Sequence, residues 1–267
     1  MRTSAPVRIT GRSALMLTIV CIAGLLAFGW PLVMSPAIGM TQASQAPFLF
    51  ALVLPALLLV VTSELSSRDL DVKALAMLGV LTAVGAVLRP LGAGTAGLEA
   101  VYLPIILAGR VFGPGFGFLL GNTTLFASAL LTGGIGPWLP YQMLGAGFVG
   151  LGAGLLPQRP RGRAEVLMLA PYGLLCGFVY GWMLDFAFWP FSLGMSNQLG
   201  YSPGAPAETN LYHFALYKLA TAMAWDAGRG LSNLVLILVL GAPLLGVLRR
   251  ADRRAFFTPD DAPHAAS

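Results

Sequence analysis

Residues Gly97–Pro157, GLEAVYLPIILAGRVFGPGFGFLLGNTTLFASALLTGGIGPWLPYQMLGAGFVGLGAGLLP, decide how this chain is read. A short apolar piece, Val101–Ala108, is interrupted by Pro104, and a Gly-Pro-Gly turn follows at Gly113–Gly115. Two long apolar runs then flank a second glycine turn, Thr132–Pro140, with Trp138, Tyr141 and Gln142 beside it. Short or Pro/Gly-broken apolar segments next to polar groups point to a binding site inside a membrane protein. The remaining runs read as a wall around this unit.

Composition fixes the class. The 267 residues are 57% hydrophobic and 10% charged, with mean hydropathy +0.77; soluble domains carry about 25% charged residues. Apolar runs of about 20 residues recur, long enough to cross hydrocarbon as helices, and they lack the alternation of barrel strands. The fold expected is an all-α integral membrane protein. The net charge of +5 gives no nucleic-acid signal, because the basic residues sit at the ends of runs, as topology signals do. Cys21 and Cys176 lie within apolar runs without metal-ligand spacing, and read as small buried hydrophobes.

Arg2, Arg8 and Arg12 place residues 1–13 in the cytoplasm. Residues 14–66 supply two helices, Ala14–Val33 and Pro47–Thr62, the second kinked at Pro55. The charged loop Glu64–Lys73 then opens a core spanning residues 67–250. Ala74–Leu88 goes outward and carries Gly79 and Ala83, a small-xxx-small pair suited to close helix packing, within this chain or on a partner. The short piece heads inward to Arg110, Gly115–Leu131 goes out and Trp138–Leu156 comes back. Glu165–Phe188 goes out and Gly228–Leu248 returns, its inner end marked by Arg249, Arg250, Arg253 and Arg254. Thr209–Met223 reads as a helix on the membrane surface, and the tail 251–267 as disordered. If the short piece crosses, there are about eight crossings with both termini inside. No internal repeat is visible, which speaks against an inverted-repeat secondary transporter.

Polar side chains within such a bundle are functional candidates by default. Arg89, Glu99, Trp138, Tyr141, Gln142, Asp185, Trp189, Trp225, Asp226, Arg229 and Asn233 all fall near the outer helix ends, which describes a pocket open to one side. The competing readings are ordinary ones: membrane tryptophans anchor at interfaces, and Asp226 and Arg229 have the i,i+3 spacing of a local ion pair. Catalysis is poorly served, with no HExxH, GxSxG or GxxxxGK[ST] pattern. No cofactor is expected, and any ATP-driven work must come from partner subunits.

Three stretches carry a family resemblance: LPIILAGRVFGPGFGFLLG, TGGIGPWLPYQMLGAGFVGLGAGLLP and WDAGRGLSN. They resemble the substrate-binding S component of energy-coupling factor (ECF) vitamin transporters, most closely the actinobacterial branch labelled cobalamin-type, over Phe48–Arg254. The resemblance implies a six-helix core bundle, to which the two N-terminal helices are an addition, in a multi-pass protein of the cell membrane. It implies a vitamin substrate taken from outside, a membrane coupling subunit docked at Gly79 and Ala83, and two ATPases driving release inside. It also implies a pocket in which Trp138 and Trp225 stack on a ring and Gln142, Asp185 and Asn233 bond amides or hydroxyls. Arg89 and Arg229 would then meet a carboxylate or phosphate, with Glu99, Tyr141 and Asp226 around them. Cobalamin is the favoured ligand, with thiamine or another vitamin as the alternative. A stand-alone secondary transporter remains the rival class, and would need polar groups through the full depth of the bundle.

Overall fold

A computed structural model of the chain describes residues 11–33, 72–92, 95, 97–191 and 198–255, and all its regular structure is helical. In chain order the helices are α1 (Gly11–Phe28), α2 (Trp30–Val33), α3 (Val72–Leu91), α4 (Tyr102–Phe112), α5 (Pro114–Thr132), α6 (Leu139–Leu155), α7 (Arg163–Phe188), α8 (Ala207–Tyr217) and α9 (Met223–Ala255). Among the described residues, four helical runs are long and apolar enough to cross a membrane: Val72–Leu91, Pro114–Thr132, Arg163–Phe191 and Ala207–Arg253. The expected second N-terminal helix, Pro47–Thr62, lies outside the described residues, as does most of the tail.

Three expectations change. Pro104 does not break the short piece, because it falls in the first turn of α4, where its missing N–H has no helical partner to lose. At 11 residues, α4 is about 16 Å long, little more than half the roughly 30 Å of a hydrocarbon core. It can afford this because Ile105, Ile106, Leu107 and Ala108 are fully enclosed by other helices. Thr209–Met223 is not a separate surface helix: α8 runs through a π-turn, Lys218–Ala222, directly into α9. The last helix also continues past Leu248 to Ala255.

The glycines of the opening stretch are explained by packing. In a bilayer, helices gain little from apolar burial against each other, and close approach depends on small residues. A Cβ on Gly117 would lie 2.3 Å from the Gly150 carbonyl oxygen, and one on Gly150 would lie 2.1 Å from that of Gly117. The seam continues at Gly109, whose Cβ would meet Gly150 O at 2.2 Å, and at Gly121, which faces Ala146 O at 2.3 Å. Thus α4, α5 and α6 touch backbone to backbone. A second seam joins α7 to α9, where a Cβ on Gly177 would fall 2.4 Å from Gly230 N.

Helix α1 docks on α6 and α7. Phe28 meets Tyr141 edge to face at 5.2 Å, Trp30 Nε1 donates to Ala187 O at 2.9 Å, and Trp30 stacks on Phe191 at 5.3 Å. Gly29 and Pro31 divide this N-terminal run into α1 and α2.

The arginine-rich end holds an ion cluster that the sequence reading had as topology markers alone. Arg110 Nε donates to Glu165 Oε1 at 2.6 Å, with both side chains fully buried. Arg249 Nη2 reaches the same carboxylate at 2.6 and 2.8 Å. The other Arg110 nitrogens donate to the carbonyls of Leu156, Pro157 and Pro160. One guanidinium therefore satisfies the end of α6 and ties it to α7, while Glu165 ties in α9.

Leucine at Gly150 must push α6 from α5, an overpacking cost of about 2 kcal/mol or more, so Gly150→Leu lowers the thermal unfolding midpoint in detergent sharply. Gly79→Leu, at a position whose Cβ meets nothing within 4 Å, leaves it unchanged. Equal midpoints for the two variants would refute the seam.

Candidate functional site

The mouth-end polar residues converge at the end of the bundle away from the Arg110 cluster. The loop after α3 starts the site. Gly92 N bonds Arg89 O, Thr95 N bonds Gly92 O, and Leu98 N bonds Thr95 O, so the chain turns tightly toward α9. Gly97 has φ 91°, and its Cβ would lie 2.3 Å from Trp225 O; only glycine fits that left-handed, close approach. The loop thereby sets Glu99 beside α9, where Glu99 N donates to Ser232 Oγ at 3.3 Å.

From Glu99 a continuous run of alternating charges crosses the bundle. Arg229 Nη2 donates to Glu99 Oε1 at 3.1 Å, and Arg229 Nη1 to Asp226 Oδ1 at 3.1 Å. Arg229 Nη1 also reaches Gly177 O at 3.3 Å, and its guanidinium lies 5.1 Å from the Tyr180 ring centre. Asp226 Oδ2 lies 2.6 Å from Lys218 Nζ, an ion pair without hydrogen-bond alignment. Lys218 Nζ donates in turn to Asp185 Oδ2. Gly181 makes room for this, since a Cβ there would collide with Asp226.

Lys218 is the residue sequence reasoning missed. It is fully buried and heads the π-turn, an element that recurs at functional sites. Asn210, Phe214 and Lys218, spaced four apart, are the buried positions of this run, so the Lys is carried inward by the face that packs α8 on the bundle. A single cation inside an apolar stretch was the available signal. Glu165, masked by the arginines around it, was missed in the same way.

Arg89 stands apart from the charge run. Its Nη2 donates to Gln142 Oε1 at 2.8 Å, joining α3 to α6. Of the three exposed tryptophans, Trp138 (42% accessible) precedes α6, Trp225 (47%) lies in the first turn of α9, and Trp182 lies within α7. Tyr141 and Asn233 are placed differently. Tyr141 is buried between Phe28 and Phe188, and Asn233 is buried with Nδ2 donating to Gly173 O at 3.3 Å. Trp189, a candidate belt anchor, is instead buried, with Nε1 on Leu199 O at 2.7 Å and its ring against Tyr201 and Phe214. A groove of about 480 Å³ runs beside the site, between the Leu91–Ala100 loop and α9, its mostly apolar wall edged by Glu99 and Ser232.

Removing one partner of a buried ion pair leaves an uncompensated charge, at a cost of about 3 kcal/mol or more. Lys218→Met is therefore expected to lower the unfolding midpoint steeply. Asp185→Asn, at a partly exposed carboxylate, is expected to lower it much less. A Lys218→Met protein that melts with the parent would show that the run does not hold α8 and α9 in place.

Residues 73–245, well over half of the chain, match the sequence model of the family described as "ECF transporter, substrate-specific component". No curated protein matches the chain, and no solved structure does. With its membrane-capable helices and a polar cluster at one end of the bundle, this chain belongs to the ECF transporter substrate-specific components, the substrate-binding subunits of these transporters, which are not themselves ATPases.

Proposed function

We propose that the chain is the capture subunit of an ATP-driven vitamin importer of the cell membrane. It takes a vitamin at the mouth where Arg89, Glu99, Gln142, Asp185, Asp226 and Arg229 gather and Trp138 and Trp225 stand exposed. The observation that supports this most directly is that these groups, drawn from the α3–α4 loop and from α3, α6, α7 and α9, share one end of the bundle. The other end is closed by the fully buried Arg110–Glu165 pair. A continuous channel would need polar lining between the two, and the α4 segment joining them is Ile105–Ile106–Leu107–Ala108.

In this reading Trp138 and Trp225 offer stacking surfaces, while the ion-paired groups hold the walls and present their remaining hydrogen-bonding atoms. Tyr141 and Asn233 act behind them, Tyr141 by setting the α1–α6–α7 contact and Asn233 by joining α7 to α9. A corrinoid of the cobalamin type is the favoured ligand, on the strength of the GPWLPYQM and WDAGR stretches. The groove of about 480 Å³ favours a second reading, a smaller vitamin such as thiamine, since pockets of about 300–1,000 Å³ suit drug-sized ligands.

Delivery requires partners: a membrane coupling subunit and two ATP-binding subunits. The surface for the coupling subunit is the outer face of α3. Gly79 has open space where a side chain would stand, and Ala83, Val80 and Val87 are exposed, while Ala74, Leu78, Gly85 and Ala86 face the bundle. Small residues on an unoccupied face permit close approach by a second helix.

Thermal-shift titration of the purified chain with a vitamin panel that includes cobalamin, cobinamide and thiamine is expected to show saturable stabilisation by one member. Trp138→Ala or Gln142→Ala should weaken it at least tenfold. A folded protein that responds to none would overturn the capture reading. Independently, Gly79→Leu and Ala83→Leu are expected to abolish co-purification of the coupling subunit while leaving vitamin binding intact; unchanged co-purification would move the contact elsewhere.

A further inference from the structure

We infer that the ligand carries an anionic group, a carboxylate or a phosphate, and that Arg89 with Gln142 is its receptor; this rests on the capture reading and names the class of substrate. Among the described residues, each charge of the neighbouring run has an opposite partner. Lys218 meets Asp185 and Asp226, and Arg229 meets Asp226 and Glu99. Arg229 is further occupied by Gly177 O and lies against Tyr180. Arg89 has no carboxylate within ion-pair distance among the described residues, and its one hydrogen bond there goes to a neutral amide.

The orientation of that amide decides the chemistry. A guanidinium only donates, so the atom of Gln142 facing Arg89 must be the carbonyl oxygen. That turns Nε2 of Gln142 away as a free donor. Arg89 Nε and Nη1 also have no acceptor among the described residues. Apart from the second lone pair of Gln142 Oε1, what the pair still offers is donors, and a donor-rich face with net positive charge recognises an anion. The side chain is not reaching out toward headgroups: it bridges across the bundle from the last turn of α3 to the first turns of α6.

The helix behind the pair adds a second observation. A Cβ on Gly85 of α3 would touch Thr124 of α5 at 2.6 Å, and Thr82 bonds Thr123 at 2.8 Å. One turn nearer the mouth on each helix, Arg89 and Ser128 stand level. Thr124 Oγ1 and Ser128 Oγ are both fully buried with no hydrogen-bond partner among the described residues, although buried hydroxyls are normally bonded. These are two further polar groups on the α5 face that turns toward α3, Ser128 level with Arg89 and Thr124 one turn below it.

Charge-paired ligands test this on the full chain in a phospholipid-free detergent. The probes are biotin against biotinamide, nicotinate against nicotinamide, pantothenate against panthenol, and cobalamin, which has a phosphodiester, against cobinamide, which lacks it. The anionic member of one pair is expected to bind at least about tenfold tighter than its neutral partner, the usual scale of a hydrogen bond to a charged group. Arg89→Gln should bring the ratio of anionic to neutral affinity close to one, whatever it does to the neutral member, and Arg89→Lys should keep part of that ratio. A phosphatidylglycerol titration separates the two sources of phosphate: lipid stabilisation lost in Arg89→Gln, with no vitamin preference, would assign the site to a headgroup and overturn the proposal. Binding that ignores ligand charge, or an Arg89→Gln protein with unchanged anion affinity, would overturn it and leave the capture reading standing. No binding by any member to folded protein would count against both.

Discussion

Backbone contact between α5 and α6 is the constraint on which the rest of the molecule depends. Gly117 and Gly150 each stand where the other's carbonyl leaves no room for a Cβ, and Gly109 brings α4 to the same point. That crossing lets an 11-residue helix be enclosed in the bundle. An exposed α4 of this length would leave its ends inside hydrocarbon with unpaired backbone groups, which a bilayer does not tolerate. Enclosed, its ends meet protein: Gly113 N returns to Gly109 O, Arg110 meets Glu165, and Leu103 N bonds Ala100 O at the other end. The short helix in turn fixes the loop before it, which carries Glu99 to α9. The mouth is built outward from a seam of glycines.

The two ends of the bundle treat charge differently. At the arginine-rich end, one carboxylate serves two guanidiniums, and Arg110 spends its remaining donors on the carbonyls that end α6. That arrangement is closed. At the mouth the charges run in series, and the run ends in carboxylates on both sides, Asp185 and Glu99, with Arg89 outside it. A series of partly exposed pairs in a low-dielectric setting has a well-defined geometry, yet retains accessible atoms at its ends. The difference fits the proposed capture of a ligand at one end of the bundle only.

Much of this was legible from residue patterns. Glycine and proline spacing singled out Gly97–Pro157, though as a pointer to a binding site and not as a packing seam, and the i,i+3 spacing of Asp226 and Arg229 correctly suggested their pairing. The clustering of polar residues at one set of helix ends followed from alternation of the runs alone. What stayed hidden depended on three-dimensional register. Lys218 lies in an otherwise apolar run, and nothing local says that a π-turn carries it between Asp185 and Asp226. Glu165 follows three arginines and reads only as the first residue of an outward helix until α4 and α9 are seen to bring Arg110 and Arg249 to it. Pro104 misled because proline breaks a helix interior but not its first turn. The joining of α8 to α9 was concealed by Gly228, which reads as a helix start, while Gly230 beside it serves to admit α7.

Helix α3 ties these features together. One face carries Gly85 against Thr124, Thr82 against Thr123, and Arg89 against Gln142. The opposite face carries Gly79, Val80, Ala83 and Val87, uncovered among the described residues. A ligand that engaged Arg89 would bear on the last turn of the same 20-residue helix whose other side is the surface proposed for the coupling subunit. Coupling between two sites needs an element that both can bias. Here that element is a single helix held by its small and hydroxylated face rather than by large interlocking side chains. Such a face permits small shifts at little cost in packing, because Gly85 and the threonines opposite fill little volume. Occupancy at the mouth and docking on the outer face would thus act on one rigid body, with no chain of intermediates required.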